Sequence, residues 1–462
     1  MSRVLSRDGK AWPAARIVRH VSELVRLAGP VIVARAGILV MAVVDVIFVG
    51  RYGTSDLAHL ALGSAPFNTL VGTGAGLLIG TLVMTANAFG RGALAECGAV
   101  WQRGTIYAGL LGFAGFAICL FGEPILLLLG QTPEMAAGAG RIMIILGLGL
   151  PAGLIYTATA YFLEGLKRPV PGMVVMVLAN LLNALLVWVL VFGVWIFPEM
   201  GAEGAAWAST LVRTFLAAAM VAYVLGVADY ARYGVKRWSG WRWREWAKQR
   251  RIGYGGGASV FIESGAFMSL SLFAGWIGAV ALGAHGIALN LLALIFMVAL
   301  GVGSATAVRV GIAHGRHDWK DLSLAGWTGL GVNSVVMVLL GIVLWAIPDS
   351  IAGLFTTDPA LVASVTPLIA LSAFILIVDG GQVVMANALR GRGDALVPAL
   401  MHTISYIVVM VPLSWFLALP LGHGVLGLYE GILIASMVSA ALLVGRFQWL
   451  CRRDTLRDTM TG

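Results

Sequence analysis

Three acidic side chains stand inside long apolar runs of this 462-residue sequence: Asp45, Glu263 and Asp379. A carboxylate at membrane depth is costly unless it is paired, faces water or meets a cation, so each marks ion chemistry more readily than packing. Burial disfavours the charged form, while a bound cation or nearby donors favour it, so a pair of such groups can exchange protons or sodium as access alternates. Arg35 and Arg213 also lie in apolar runs and are candidate salt-bridge partners for these acids. Asn180, Asn183 and Asn290 carry neutral oxygens that can complete a cation site. His285 and His402 read as packed or hydrogen-bonded histidines. No G-x-S-x-G, H-E-x-x-H or P-loop pattern occurs, which leaves hydrolytic and ATP-driven chemistry without a motif. Cys97, Cys119 and Cys451 are widely spaced with no C-x-x-C pair, so they read as packing residues rather than a zinc site or disulfide framework.

The elements that must position the acids are membrane helices. Hydrophobic residues make up 59% of the chain and charged ones 11%, with a mean hydropathy of +0.91. Soluble domains carry roughly 25% charged residues, so a water-soluble fold is excluded. A bilayer-spanning helix needs about 20 apolar residues. Apolar runs between charged and Gly/Pro breaks give twelve expected spans, at 22–50, 59–88, 99–121, 138–164, 170–195, 204–227, 252–276, 282–308, 323–346, 361–388, 396–418 and 425–448. The expected fold is an all-α polytopic membrane protein. At 1.5 Å per residue, Glu263 lies about 18 Å beyond Arg251 and Asp379 about 16 Å from Arg390, similar depths near the midplane. Asp45, roughly 28 Å beyond Arg26, belongs nearer the outer mouth.

The net charge of +9 is spread over short loops rather than gathered on one domain, which argues against nucleic acid as a partner. Alternate loops hold Arg91 and Arg103, Lys167 and Arg168, the run from Arg232 to Arg251, Arg309, Arg316 and Lys320, and Arg390 and Arg392; the opposite loops hold only Arg51 and Arg141. Lys and Arg resist translocation, so both termini are expected in the cytoplasm. The leading segment, with Arg3, Arg7, Lys10, Arg16 and Arg19, lacks the short apolar core of a signal peptide, and the first span is expected to direct insertion. Between Lys236 and Trp246, basic residues interleave with tryptophans, as in a segment lying at the headgroup level.

An internal repeat divides the chain. An offset of 225 places Phe48-Val49-Gly50-Arg51-Tyr52-Gly53 on Phe273-Ala274-Gly275-Trp276-Ile277-Gly278, Gly76 on Gly301, Thr81 on Thr306, and Gly90-Arg91 on Gly315-Arg316. Two parallel six-helix lobes follow, 1–227 and 251–462, joined by a linker at 228–250. Gly72, Gly76 and Gly80 share one face of the second span and invite close approach by another helix. Pro30, Pro151, Pro367 and Pro412 interrupt spans and permit kinks.

At these residues the chain resembles the multidrug and toxic compound extrusion (MATE) family, in its NorM-like branch. Val44-Asp45-Val46-Ile47-Phe48-Val49-Gly50 is similar to the family's first-helix signature, and Phe261-Ile262-Glu263 stands where the family has its seventh-helix glutamate. Ala284-His285-Gly286-Ile287-Ala288-Leu289-Asn290, Val308-Arg309-Val310-Gly311, and Val378-Asp379-Gly380-Gly381-Gln382-Val383-Val384 followed by Leu389-Arg390-Gly391 are similar to further family patterns. The chain departs from them at Gly286, where a glutamine is common, and at Val187, where many members carry Asp or Asn. The resemblance implies two pseudo-symmetric six-helix bundles working by alternating access, with Glu263 and Asp379 as the H⁺ or Na⁺ site and Asp45 as a further coupling residue. Gln382 joins the asparagines as a candidate cation or substrate ligand. The implied activity is export of amphipathic organic cations by a monomer with no cofactor beyond its coupling ion. A lipid-linked precursor flippase of the same superfamily is the nearest rival, and a membrane-embedded enzyme a remote one.

Overall fold

The structure, a computed structural model, describes residues 13–226, 228–237 and 243–461. Arg3, Arg7 and Lys10, and residues 238–242 of the Trp-rich segment, lie outside the described residues. Among those described, helices dominate and no strand occurs.

The first half contains α1 (Pro13–Tyr52), α2 (Thr54–Gly90), α3 (Leu94–Cys119), α4 (Gly122–Leu128), α5 (Pro133–Leu148), α6 (Leu150–Gly165), α7 (Val170–Phe192) and α8 (Gly201–Gly226). The second contains α9 (Ala247–Ile277), α10 (Ala279–Gly315), α11 (Trp319–Ala346), α12 (Pro348–Phe355), α13 (Pro359–Gly391), α14 (Leu396–His402), a π-helix (Thr403–Met410), α15 (Val411–Ala418) and α16 (Gly424–Thr461). The repeat reappears in the helix ends: α2 and α3 begin 225 residues before α10 and α11, and α1 ends 225 residues before α9. Gly278 takes a φ of 145°, a conformation open to glycine, and separates α9 from α10 where Gly53 separates α1 from α2.

Nine of these helices, and the run Leu396–Ala418 through α14, the π-helix and α15, are long and apolar enough to cross a bilayer, and counting each of two bent pairs as one span gives twelve among the described residues. These twelve follow the order of the expected spans. One bend, 43° between α5 and α6, falls at Pro151, which lacks the N–H needed to continue the preceding helix. The other, 57° between α3 and α4, extends the third span to Leu128, beyond its expected end. Its cause is local: Pro124 sits in the first turn of α4, where a missing donor starts a helix well but cannot prolong one. The chain is an integral multi-pass membrane protein.

Packing divides the chain into two compact units. One contains the described residues up to Ile32 together with those from Ser259 onward, and the other runs from Val33 to Ala258. They differ from the sequence-based halves by the leading segments of α1 and α9. Helix α9 begins in the second of these units because glycines let it settle on α2. A Cβ built on Gly76 would lie 2.8 Å from the Gly256 carbonyl, and one on Gly80 would lie 2.0 Å from the Gln249 carbonyl. Gln249, itself buried, donates to Thr81 Oγ1 at 3.0 Å and to the Val100 carbonyl at 3.2 Å. In the other unit, Gly301 of α10 brings the same kind of approach to Ile32 of α1, and buried His20 bonds Asp321 at 2.8 Å.

Of the Trp-rich segment, Trp243 stacks under Arg250, whose guanidinium lies 3.7 Å from the ring centre. Trp246 is fully buried, so it is a core residue rather than a headgroup anchor. Cys97 and Cys119 are buried free thiols, as packing residues should be.

Candidate ion-coupling site

Glu263 of α9 and Asp379 of α13 line one cavity of about 170 Å³, space for several waters or a hydrated cation. The rest of its wall is apolar: Phe267, Leu289, Leu292, Ala293, Phe296, Ile375, Leu376 and Ile432. The two carboxyl groups and the Arg390 guanidinium interact electrostatically. Helix periodicity explains the lining. Glu263 and Phe267 are one turn apart on α9, as are Leu289, Leu292 and Phe296 on α10 and Ile375 and Asp379 on α13.

Asp379 is held by neighbours on α13 and α16. Its Oδ1 accepts from Gln382 Nε2 at 2.9 Å and from Ser436 Oγ at 3.1 Å, whereas Oδ2 has no donor among the described residues. Gln382 also donates to the Tyr406 hydroxyl and accepts from Ser439 Oγ. Ser436, Ser439 and Tyr406 are not evident from sequence. Serine is common in such spans, and only the packing of α16 and the π-helix brings these hydroxyls to α13.

Asp45 of α1 lies in the other unit, apart from this cavity's lining. It is buried and accepts from Asn183 Nδ2 and Ser209 Oγ, each at 2.8 Å. Ser209 on α8 thus gives Asp45 a second donor beside Asn183. Arg213, one turn beyond Ser209, acts on Asp45 electrostatically and stacks over Phe67 with 4.7 Å to the ring centre. Arg35 does not pair with any of the three acids: its partner is buried Glu164 at 3.7 Å, with Tyr161 beneath it. Glu164 closes the expected span 138–164 and lies buried in the last turn of α6.

Asn180 and Asn290 each donate to a carbonyl of their own helix, on Met176 and Gly286, and Asn290 is exposed. Neither borders the Glu263 cavity. His285 bonds Ser271 at 3.1 Å and receives the Tyr429 hydroxyl on its carbonyl, a packed histidine. His402 packs edge-on against Tyr406. Glu263 and Asp379 offer anionic oxygens that suit a proton or Na⁺. Among the described residues no cluster of three or more His, Cys, Asp or Glu side chains could hold a metal ion.

Known proteins share this chain's repeat and fold. The MatE family profile matches twice, over residues 30–189 and 257–416, one match in each repeat. A protein of Caulobacter vibrioides described as probable multidrug resistance protein NorM is 43% identical over 96% of this chain and 94% of its own length. Its namesake from Bradyrhizobium diazoefficiens is 34% identical over 97% of each chain. The fold matches the eukaryotic MATE transporter AtDTX14 with a TM-score of 0.87 at 20% identity, over 96% of this chain and 99% of that one. It also matches a MATE protein in the bent conformation with a TM-score of 0.87 at 19% identity, over 97% and 100%. With its doubled profile match, its twelve-span helical fold and relatives named as transporters rather than enzymes, the chain belongs to the MatE family of integral membrane transporters.

Proposed function

We propose that the chain is a secondary antiporter of the NorM type. It exports amphipathic organic cations in exchange for H⁺ or Na⁺, with Glu263 and Asp379 as the shared binding groups. One observation carries this reading: a cavity in which, among the described residues, the ionisable lining groups are two carboxyls, set among apolar and aromatic side chains. Such a site suits a small cation bound by oxygen, and equally a larger one whose flat apolar body meets Phe267 and Phe296. One occupant excludes the other, and that competition is the thermodynamic basis of exchange. Asp45, with Asn183 and Ser209, is assigned a coupling role in the other unit. The skew of Lys and Arg among the loops supports cytoplasmic termini, and the bacterial relatives support the inner membrane. The acid-lined cavity favours a cationic substrate over the anionic diphosphate carriers that a lipid-linked precursor flippase moves.

The test is ethidium movement in proteoliposomes with a pH gradient and a sodium gradient imposed separately. At least one gradient is expected to accelerate ethidium export about fivefold or more. Indifference to both overturns antiport.

A further inference from the structure

Gln382 sits in the middle of the polar groups behind Asp379, and its bonds leave it no freedom. The side chain is 1% exposed. Its two amide hydrogens go to Asp379 Oδ1 and the Tyr406 oxygen, and its carbonyl takes the Ser439 hydroxyl. With both amide hydrogens committed and one oxygen lone pair taken by Ser439, the amide serves Asp379 as a donor. Its plane is fixed, with one N–H aimed at Asp379. Asp379 and Gln382 are three residues apart on α13, and their partners Ser436 and Ser439 are three apart on α16, so the two helices meet in matched rungs.

Tyr406 completes the arrangement from a third element. It is fully buried in the middle of the π-helix Thr403–Met410. Stretches of π-helix are rare and cluster at functional sites. Here the register change precedes Pro412, which cannot donate to the carbonyl four residues back and so relieves that turn of α-helical pairing. The Tyr406 ring also packs on Phe267, a wall residue of the cavity, with centroids 6.3 Å apart. Its hydroxyl is within electrostatic reach of both Glu263 and Asp379.

We propose that Tyr406 and Ser439 are positioning residues for ion coupling. By holding the Gln382 amide from two sides, they keep a donor on Asp379 Oδ1 and leave Oδ2 for the transported cation. This inference rests on the antiport reading for its consequence in transport, but not for its consequence in binding. A donor fixed on one oxygen stabilises the bare carboxylate and so weakens its hold on a cation to the level that permits release. Without the Tyr406 hydroxyl, Gln382 can turn away, the carboxylate loses that donor, and any cation is held more tightly. Turnover then falls because release slows. Loosened packing alone would weaken binding, so the direction of the change separates the two roles.

The experiment compares wild type, Tyr406→Phe and Ser439→Ala in full-length purified protein. Ethidium Kd is read by fluorescence, and the half-saturating coupling-ion concentration is read in proteoliposomes. Both quantities are expected to fall about threefold to tenfold in Tyr406→Phe and less in Ser439→Ala, with a lower maximal efflux rate in each. A Kd and half-saturation that stay at the wild-type value, or rise, in both variants overturn the proposal. If the wild type ignores both ion gradients, the antiport reading fails by itself. The ethidium Kd then decides the positioning role alone: tighter binding in the variants upholds it, and equal or weaker binding overturns it.

Discussion

Glu263→Gln and Asp379→Asn are each expected to reduce ion-driven ethidium efflux to the leak rate of protein-free liposomes, with both variants reaching the membrane in wild-type amounts. The amides keep the size and most hydrogen bonds of the acids but cannot carry the charge that a cation must neutralise. Because the two carboxyls line one cavity and act on one another, they work as a unit, and the double variant is expected to be no worse than either single one. Efflux and membrane abundance measured side by side on the three variants check this. Wild-type-like efflux in either single variant would remove that carboxyl from the coupling scheme.

The second large effect concerns folding. Gly80→Leu forces α2 away from α9, since even a Cβ at this position would lie 2.0 Å from the Gln249 carbonyl, and backbone cannot step aside as a flexible side chain can. The neighbouring bonds from Gln249 to Thr81 and Val100 would break with it. Overpacking of this kind costs about 3 kcal/mol or more. The variant is expected to be recovered in low yield or to unfold at a clearly lower temperature in detergent. Gly286→Ala is the matching control, because a Cβ there meets nothing within 4 Å. Equal unfolding temperatures for Gly80→Leu and the wild type would contradict the packing described for α9.

The legible and illegible parts of this molecule divide along physical lines. Charges in apolar runs announce themselves, because hydrocarbon penalises them whatever the tertiary structure, and this is why Asp45, Glu263 and Asp379 stand out. The spans follow from hydropathy, and the repeat from an offset that helix ends then obey. Pro151 and Pro124 each mark a bend through the chemistry of one residue, but Pro124 lies beyond the expected end of the third span, so only the first bend is legible within a span. Neutral hydroxyls carry no such signal. Ser209, Ser436, Ser439 and Tyr406 look like ordinary span residues until packing places them on a carboxylate or on its amide neighbour. The partner of Arg35 was equally hidden, because electrostatic pairing across helices depends on rotation about each axis, which composition does not fix. That the leading segments of α1 and α9 belong to units other than those of their remaining lengths is likewise a property of packing.

The central claim is that one cavity holds either the coupling ion or the exported cation, through the same two carboxyls. Equilibrium binding of ethidium to the purified protein, titrated with H⁺ or Na⁺, tests it most directly. In the wild type the ethidium Kd is expected to rise in proportion to the coupling ion once that ion exceeds its own dissociation constant, and in the Glu263→Gln, Asp379→Asn double variant to become independent of it. An ethidium affinity that ignores both ions in the wild type, or a competition that persists undiminished in the double variant, would contradict the account.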